Sequence, residues 1–180
     1  RLVDTLLKAL RLAACSQGTM NNVLFGNDTF GYYETICGGV GAGPTWKGAD
    51  AVHSHMTNTR ITDPEVVEQR YPVRVERFSV RRGSGGRGRF PGGDGAVREL
   101  VFLAPVSLSV LTQHRTTRPY GMAGGEPGAP GRQSVLCADG AVVELGPIDG
   151  CEVRTGDRLV VETPGGGGWG RPEVAGEADG

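Results

Sequence analysis

Apolar and polar positions change rhythm along the chain. Leu2, Leu6, Leu10 and Ala13 recur at helical spacing while Asp4, Lys8 and Arg11 fall elsewhere, which predicts an opening amphipathic helix. Residues 19–34 are mixed and turn-prone around Gly26-Asn27-Asp28. Asp63-Pro64-Glu65 reads as a helix start: Asp63 caps exposed N–H groups, Pro64 suits the first helical position, and Glu65 complements the positive helix end. That helix is short, because Pro72 disfavours helical geometry at Tyr71. Alternation then takes over, with Val73 and Val75 in one phase and Phe78 and Val80 in the other, so a bulge near Glu76 is expected. The apolar runs 97–103 and 106–111 suit strands. Residues 135–138 and 141–145 flank Asp139-Gly140, a two-residue hairpin signal, and 158–162 form another strand after Gly156-Asp157. The predicted fold class is α+β, an N-terminal helix followed by a strand-rich, glycine-rich single unit over 1–172, with a loose tail over 173–180.

Composition sharpens this picture. Glycine stands at 31 of 180 residues but lacks a strict repeat and is broken by strand-like runs, so collagen-like and low-complexity readings fail and glycine is assigned to turns and close backbone approaches. The length is enough for one domain with a real core. The chain opens at Arg1, without Met and in mid-pattern, so it is expected to be part of a longer protein. With 19 basic and 20 acidic side chains intermixed, no footprint for nucleic acid is visible. Arg81, Arg82, Arg87 and Arg89 cluster among glycines and read as a local anion contact or a solvated loop. No run reaches the ~20 apolar residues of a membrane span, and no signal-peptide pattern is present. Cys15, Cys37, Cys137 and Cys151 show no metal-type spacing, so free thiols in the cytoplasm are expected.

The segment 52–73 crowds His53, His55, Thr57, Asn58, Thr59, Arg60, Asp63 and Glu65 into a stretch too polar for core packing. On an extended chain His53 and His55 would share one face with Thr57 and Thr59 beyond them. Three readings are open: acid/base groups, since histidine titrates near neutrality; metal ligands with Asp50 or Glu34 as a third; or hydrogen-bonding groups that hold the neighbouring glycine loops. The run Gly165 to Gly168 carries no reactive group but can present backbone N–H groups to an anion, or make a tight structural crossing clamped by Trp169. Gly83-x-Gly85-x-x-Gly88 matches a dinucleotide fingerprint in form only, because Arg89-Phe90-Pro91 follows where a helix is required. No phosphate-binding GxxxxGK[ST] run occurs, Ser84 is a turn residue, and His114 beside Arg115 and Arg118 reads as surface or interface.

Taken in order, Gly18-Thr19-Met20-Asn21-Asn22, Phe30-Gly31-Tyr32-Tyr33-Glu34-Thr35, the stretch from His53 to Glu65, Gly92-Gly93-Asp94-Gly95, Pro119-Tyr120-Gly121 and the closing tetraglycine resemble the C-terminal part of the hydantoinase B/oxoprolinase family. Within that family the ATP-dependent 5-oxoprolinases are the most similar branch, on His53-Ser54-His55-Met56 and Tyr33-Glu34-Thr35-Ile36-Cys37. The resemblance implies a cyclic amide hydrolase acting on a small lactam, 5-oxo-L-proline, and inactive as this piece alone. ATP and Mg2+ would be bound outside these residues by an upstream ATPase-like half or subunit, in an oligomer. A carboxylate-bearing lactam needs an anion clamp and a proton donor, so His53 and His55 are expected as catalytic groups and Asn58, Arg60, Gly165, Gly166 and Gly167 as substrate-binding groups. The histidine segment is expected near the tetraglycine loop, with Arg60 holding the carboxylate. The resemblance implies no metal site here. An N-methylhydantoinase component of the hydantoinase B type, or a ketone-carboxylase component, shares the resemblance. A noncatalytic assembly domain is the alternative from another class.

Overall fold

A computed structural model describes residues 2–55, 57 and 59–173, so the end of the expected tail lies outside the described residues. Chain order gives α1 (Leu2–Ala9), β1 (Asn21–Asn27), β2 (Phe30–Thr35), α2 (Pro64–Arg70), β3 (Val73–Arg81), β4 (Gly95–Phe102), β5 (Val106–Thr112), β6 (Arg132–Leu136), β7 (Val142–Leu145), β8 (Ile148–Val153) and β9 (Arg158–Glu162). The strands form two antiparallel sheets, ordered β2-β1-β5-β8 and β3-β4-β9-β6-β7. The fold class is α+β.

Period-two burial builds the core. β5 alternates buried and exposed residues, with Val106, Leu108 and Val110 inward. Val23 and Phe25 of β1 join them, and one cluster links this set to Val73, Leu100, Phe102, Leu159 and Val161 of the other sheet. The expected bulge sits between Val75 and Arg77. It returns Phe78 and Val80 to the phase of Val73 and Val75, opposite Arg98 and Ala96. α2 is capped as predicted: the Asp63 carboxylate accepts from Glu65 N at 2.9 Å, and the helix ends before Pro72.

Three elements differ from expectation. Residues 19–34 are not irregular but form the β1–β2 hairpin, with Asp28-Thr29 between Asn27 and Phe30. Asn21, Asn22 and Asn27 conceal its alternation, since Asn21 and Asn22 are buried polar side chains. The β6–β7 hairpin has a three-residue loop, Ala138-Asp139-Gly140, closed by Cys137 N to Ala141 O at 2.8 Å, with Gly140 at φ 92. β8, unforeseen because it is mostly exposed and contains Gly150, exists through its pairing with β5.

Between the sheets and α1 lies a bundle of glycine-rich segments built round residues 164–169. Gly165, Gly166, Gly167 and Gly168 donate to the carbonyls of Ala129, Gly93, Cys15 and Glu126, at 3.2, 2.8, 2.8 and 2.9 Å. A Cβ on each would lie 2.0, 2.1, 2.0 and 2.3 Å from the carbonyl oxygens of Ser84, Val40, Tyr120 and Arg87. The neighbour repeats every third residue: Gly165 meets Ser84, and Gly168 meets Arg87. That is the period of a polyproline II-type chain, which makes no internal hydrogen bonds and so directs every N–H outward to a neighbour.

Candidate functional site

The histidine segment is pinned where it leaves the glycine bundle. Asp50 Oδ1 accepts from Asp94 N at 2.8 Å, Ala51 N donates to Asp94 O at 2.8 Å, and Val52 N donates to Gly38 O at 3.1 Å. Gln17 Nε2 donates to Val52 O at 3.4 Å. The chain then turns. Thr57 N donates to Ser54 O at 3.1 Å and Thr57 Oγ1 accepts from Ser54 N at 3.0 Å, because Ser and Thr side chains offer the backbone a local alternative to a strand. The extended geometry expected for His53 and His55 is therefore absent, and the two imidazoles have different surroundings.

His53 is half-buried, and both its ring nitrogens are shielded from solvent without a hydrogen-bond partner. Burial lowers its pKa, so the ring is neutral near pH 7. A neutral imidazole with an unanswered donor and acceptor is equipped to take and give a proton. His55 is exposed, and its Nε2 lies 3.1 Å from Asp4 Oδ1 on α1. Arg60 is exposed and forms no ion pair with a described residue. Asn58 lies outside the described residues.

Gly165, Gly166 and Gly167 do not offer the anion donors expected of them. Their N–H groups are engaged by backbone carbonyls, as buried amides require, and the absence of Cβ atoms serves close packing instead. The metal reading with Asp50 or Glu34 also fails on geometry: Asp50 caps Asp94 N, and Glu34 is paired with Arg98. Among the described residues no group of three or more His, Cys, Asp or Glu side chains converges.

Two arrangements escaped the sequence reading. Cys15 Sγ lies 3.6 Å from Nε2 of His114, whose Nδ1 donates to Thr117 O at 3.2 Å. With its proton on Nδ1, the ring donates to Thr117 O and turns Nε2 to the thiol. Burial and the Asp4 carboxylate push that thiol up to about 12, which keeps it protonated. His114 is half-buried, with one ring nitrogen at the surface side and the other facing Cys15. The second arrangement is Arg115, which donates to Gln133 Oε1, to Asn21 Oδ1 at 2.8 Å and to Gln113 O at 2.6 Å. Burial and neighbouring Arg81 lower its pKa to about 9. Sequence separations of 18 to 99 residues hide both from any local motif.

Comparison with known proteins bears on what this arrangement serves. The family described as Hydantoinase B/oxoprolinase matches residues 1–172. 5-oxoprolinase 1 of Arabidopsis thaliana is 52% identical over 94% of this chain, which covers 13% of that protein. 5-oxoprolinase of Dictyostelium discoideum is 50% identical over 96% of the chain and 14% of its own length. Among solved structures, ATP-dependent caprolactamase from Pseudomonas jessenii superposes with a TM-score of 0.76 at 26% identity, over 94% of this chain and 33% of that one. The chain spans about one-seventh of the length of each of these 5-oxoprolinases.

Proposed function

Since this chain belongs to the hydantoinase B/oxoprolinase family, we propose that it is the C-terminal part of an ATP-dependent 5-oxoprolinase, which opens the lactam of 5-oxo-L-proline to L-glutamate. The observation that carries the reading is the likeness to two 5-oxoprolinases along nearly the whole chain. The chemistry is consistent with it. Amide resonance protects a lactam from water, so opening the ring calls for activation, which ATP supplies.

ATP and Mg2+ would be held by another part of the protein, an ATPase-like half or subunit in a cytoplasmic assembly. The residues present do not fit a phosphate cradle: in the loop most like one, Gly83 N and Gly85 N donate to Asp94 at 3.0 and 2.7 Å, and Gly86 N to Gly166 O at 2.8 Å. The residues offered to the lactam are His53, His55, Asn58 and Arg60. Arg60 binds the substrate carboxylate through its two-pronged guanidinium, Asn58 positions the ring, and His53 and His55 orient water and move protons. The unpartnered nitrogens of His53 support this assignment.

The test is kinetic, in the longer protein that carries this chain. ATP-dependent glutamate release from 5-oxoproline is expected, with His55→Ala lowering kcat by ~10²-fold or more and Arg60→Lys raising KM as the bidentate contact is lost. Folded variants with wild-type kinetics would remove these residues from the reaction. Turnover of a hydantoin, with none of 5-oxoproline, would overturn the substrate.

A further inference from the structure

α1 buries none of its residues, yet it does not lie flush on the body. Beneath its last turn is a cavity of about 370 Å3 lined by Lys8, Arg11, Tyr120, Met122, Ala123 and Trp169, with Gly121 at its base. A second compartment of about 250 Å3 shares Lys8 and Tyr120 and continues toward Cys15 and His114. We propose that the larger compartment is a binding site for a small anion, a carboxylate or phosphate carried on a planar apolar body, separate from the histidine segment.

Three observations converge on this. The first is charge. Lys8 and Arg11 form the rim, no acidic side chain lines the larger compartment, and the Lys8 Nζ sits 4.7 Å from the Tyr120 ring centroid, over the floor rather than out in water. The second is the floor itself. Tyr120, Met122 and Trp169 give it an aromatic and thioether surface, and two of its backbone N–H groups are engaged elsewhere: Met122 N donates to Gly168 O at 2.9 Å and Trp169 N to Phe90 O at 2.8 Å. Recognition therefore falls to two cations and an apolar face, which suits a flat anion and disfavours a neutral polar ligand. The third is backbone conformation. Arg11, at φ 52, is the left-handed residue that ends α1, with its N–H donating to Lys8 O at 3.1 Å and Leu12 N to Leu7 O at 2.9 Å, so the turn that stops the helix also sets Arg11 on the rim of the larger compartment. Ala123, also at φ 52, lies opposite in a turn closed by Gly125 N to Met122 O at 2.9 Å.

The experiment uses the 180-residue chain with Trp46→Phe, which leaves Trp169 as the sole indole. Benzoate and phenyl phosphate are titrated while Trp169 fluorescence and the Met122 methyl resonance are followed. Both probes are expected to give saturable changes at both reporters. Benzamide, flat but neutral, should bind at least roughly 10-fold more weakly, and so should benzoate with Lys8→Gln/Arg11→Gln. Both cations are exposed, so this variant is expected to fold, which far-UV circular dichroism checks; the single variants Lys8→Gln and Arg11→Gln should each show a partial loss. No saturable change with either anion, or equal affinity in the charge-neutralised protein, would overturn the proposal.

Discussion

Arg98 stands at an inward position of β4, between Ala96 and Leu100, where an apolar residue would be ordinary. Its burial is tolerated because Glu34 of β2 meets it side-on, at 3.2 Å from Nε and 3.1 Å from Nη2, while Tyr32 donates its hydroxyl to the same carboxylate at 2.9 Å. Burial and that carboxylate push the Tyr32 hydroxyl up to about 12, so it remains a donor. Removing one charge strands the other: Glu34→Leu and Arg98→Met should each lower stability by about 3–5 kcal/mol, and the double variant Glu34→Leu/Arg98→Met should lose less than the two single changes added together. Denaturant titration of the four proteins measures this. His53 calls for a different test. Its pKa is lower in the folded chain than in the unfolded one, so below about pH 6.5 the unfolded chain binds a proton that the folded chain refuses. Stability should therefore fall as the pH drops through this window. Relative to His53→Leu, the wild type should lose ground below about pH 6.5 and run parallel above it. The crowding of the histidine segment was legible in the sequence, but its geometry was not. Ser54 and Thr57 close a local turn that a strand template cannot anticipate, and the partner of His55 is Asp4, 51 residues away.

Legibility at the level of elements follows the range of the interactions that make them. α2 was readable because Asp63, Pro64 and Pro72 act on their own neighbours, and the β3 bulge because the phase of Val73, Val75, Phe78 and Val80 records it. β1 and β8 were not, since buried asparagines in one and a glycine in the other break the pattern, and pairing, of β1 with β2 and β5 and of β8 with β5, makes them strands. The tetraglycine run is a third case: its composition was plain, but its role depends on four segments that arrive from elsewhere. A matched pair of substitutions probes it. Gly166→Ala places a methyl group 2.1 Å from Val40 O, with backbone on both sides and nothing able to yield, and should cost about 3 kcal/mol or more. Gly31→Ala in β2 meets nothing within 4 Å and should be neutral or stabilising by about 0.5 kcal/mol. Thermal melts of both variants separate close packing from a general intolerance of side chains.

Across the whole molecule, two antiparallel sheets carry the core while the glycine bundle joins α1, the histidine segment and the loop around Tyr120 into one neighbourhood. No helix among the described residues is long and apolar enough to cross a membrane. The outward face of α1 leaves Leu2, Leu6 and Leu10 exposed at 83, 58 and 64%. The 180-residue chain alone is expected to release no glutamate from 5-oxoproline and ATP, because in its loop most like a phosphate cradle the N–H groups of Gly83, Gly85 and Gly86 are engaged by Asp94 and Gly166; release above background would show that the nucleotide is bound here after all. The bundle also bears on how the molecule comes into being. Its central strand, residues 163–170, follows every segment that surrounds it in sequence, so during synthesis the segments near residues 14–17, 38–43, 84–93 and 119–129 wait for their axis to be made. Loop closures of this span are slow, and at about 5–20 residues per second the ribosome adds roughly 7 to 30 seconds between the first segment and the last. Until that axis arrives, the carbonyls of Cys15, Gly93, Glu126 and Ala129 lack the N–H donors that it brings. The vulnerable period for this fold is thus its own synthesis, when a chaperone or a fast-folding neighbour would matter most.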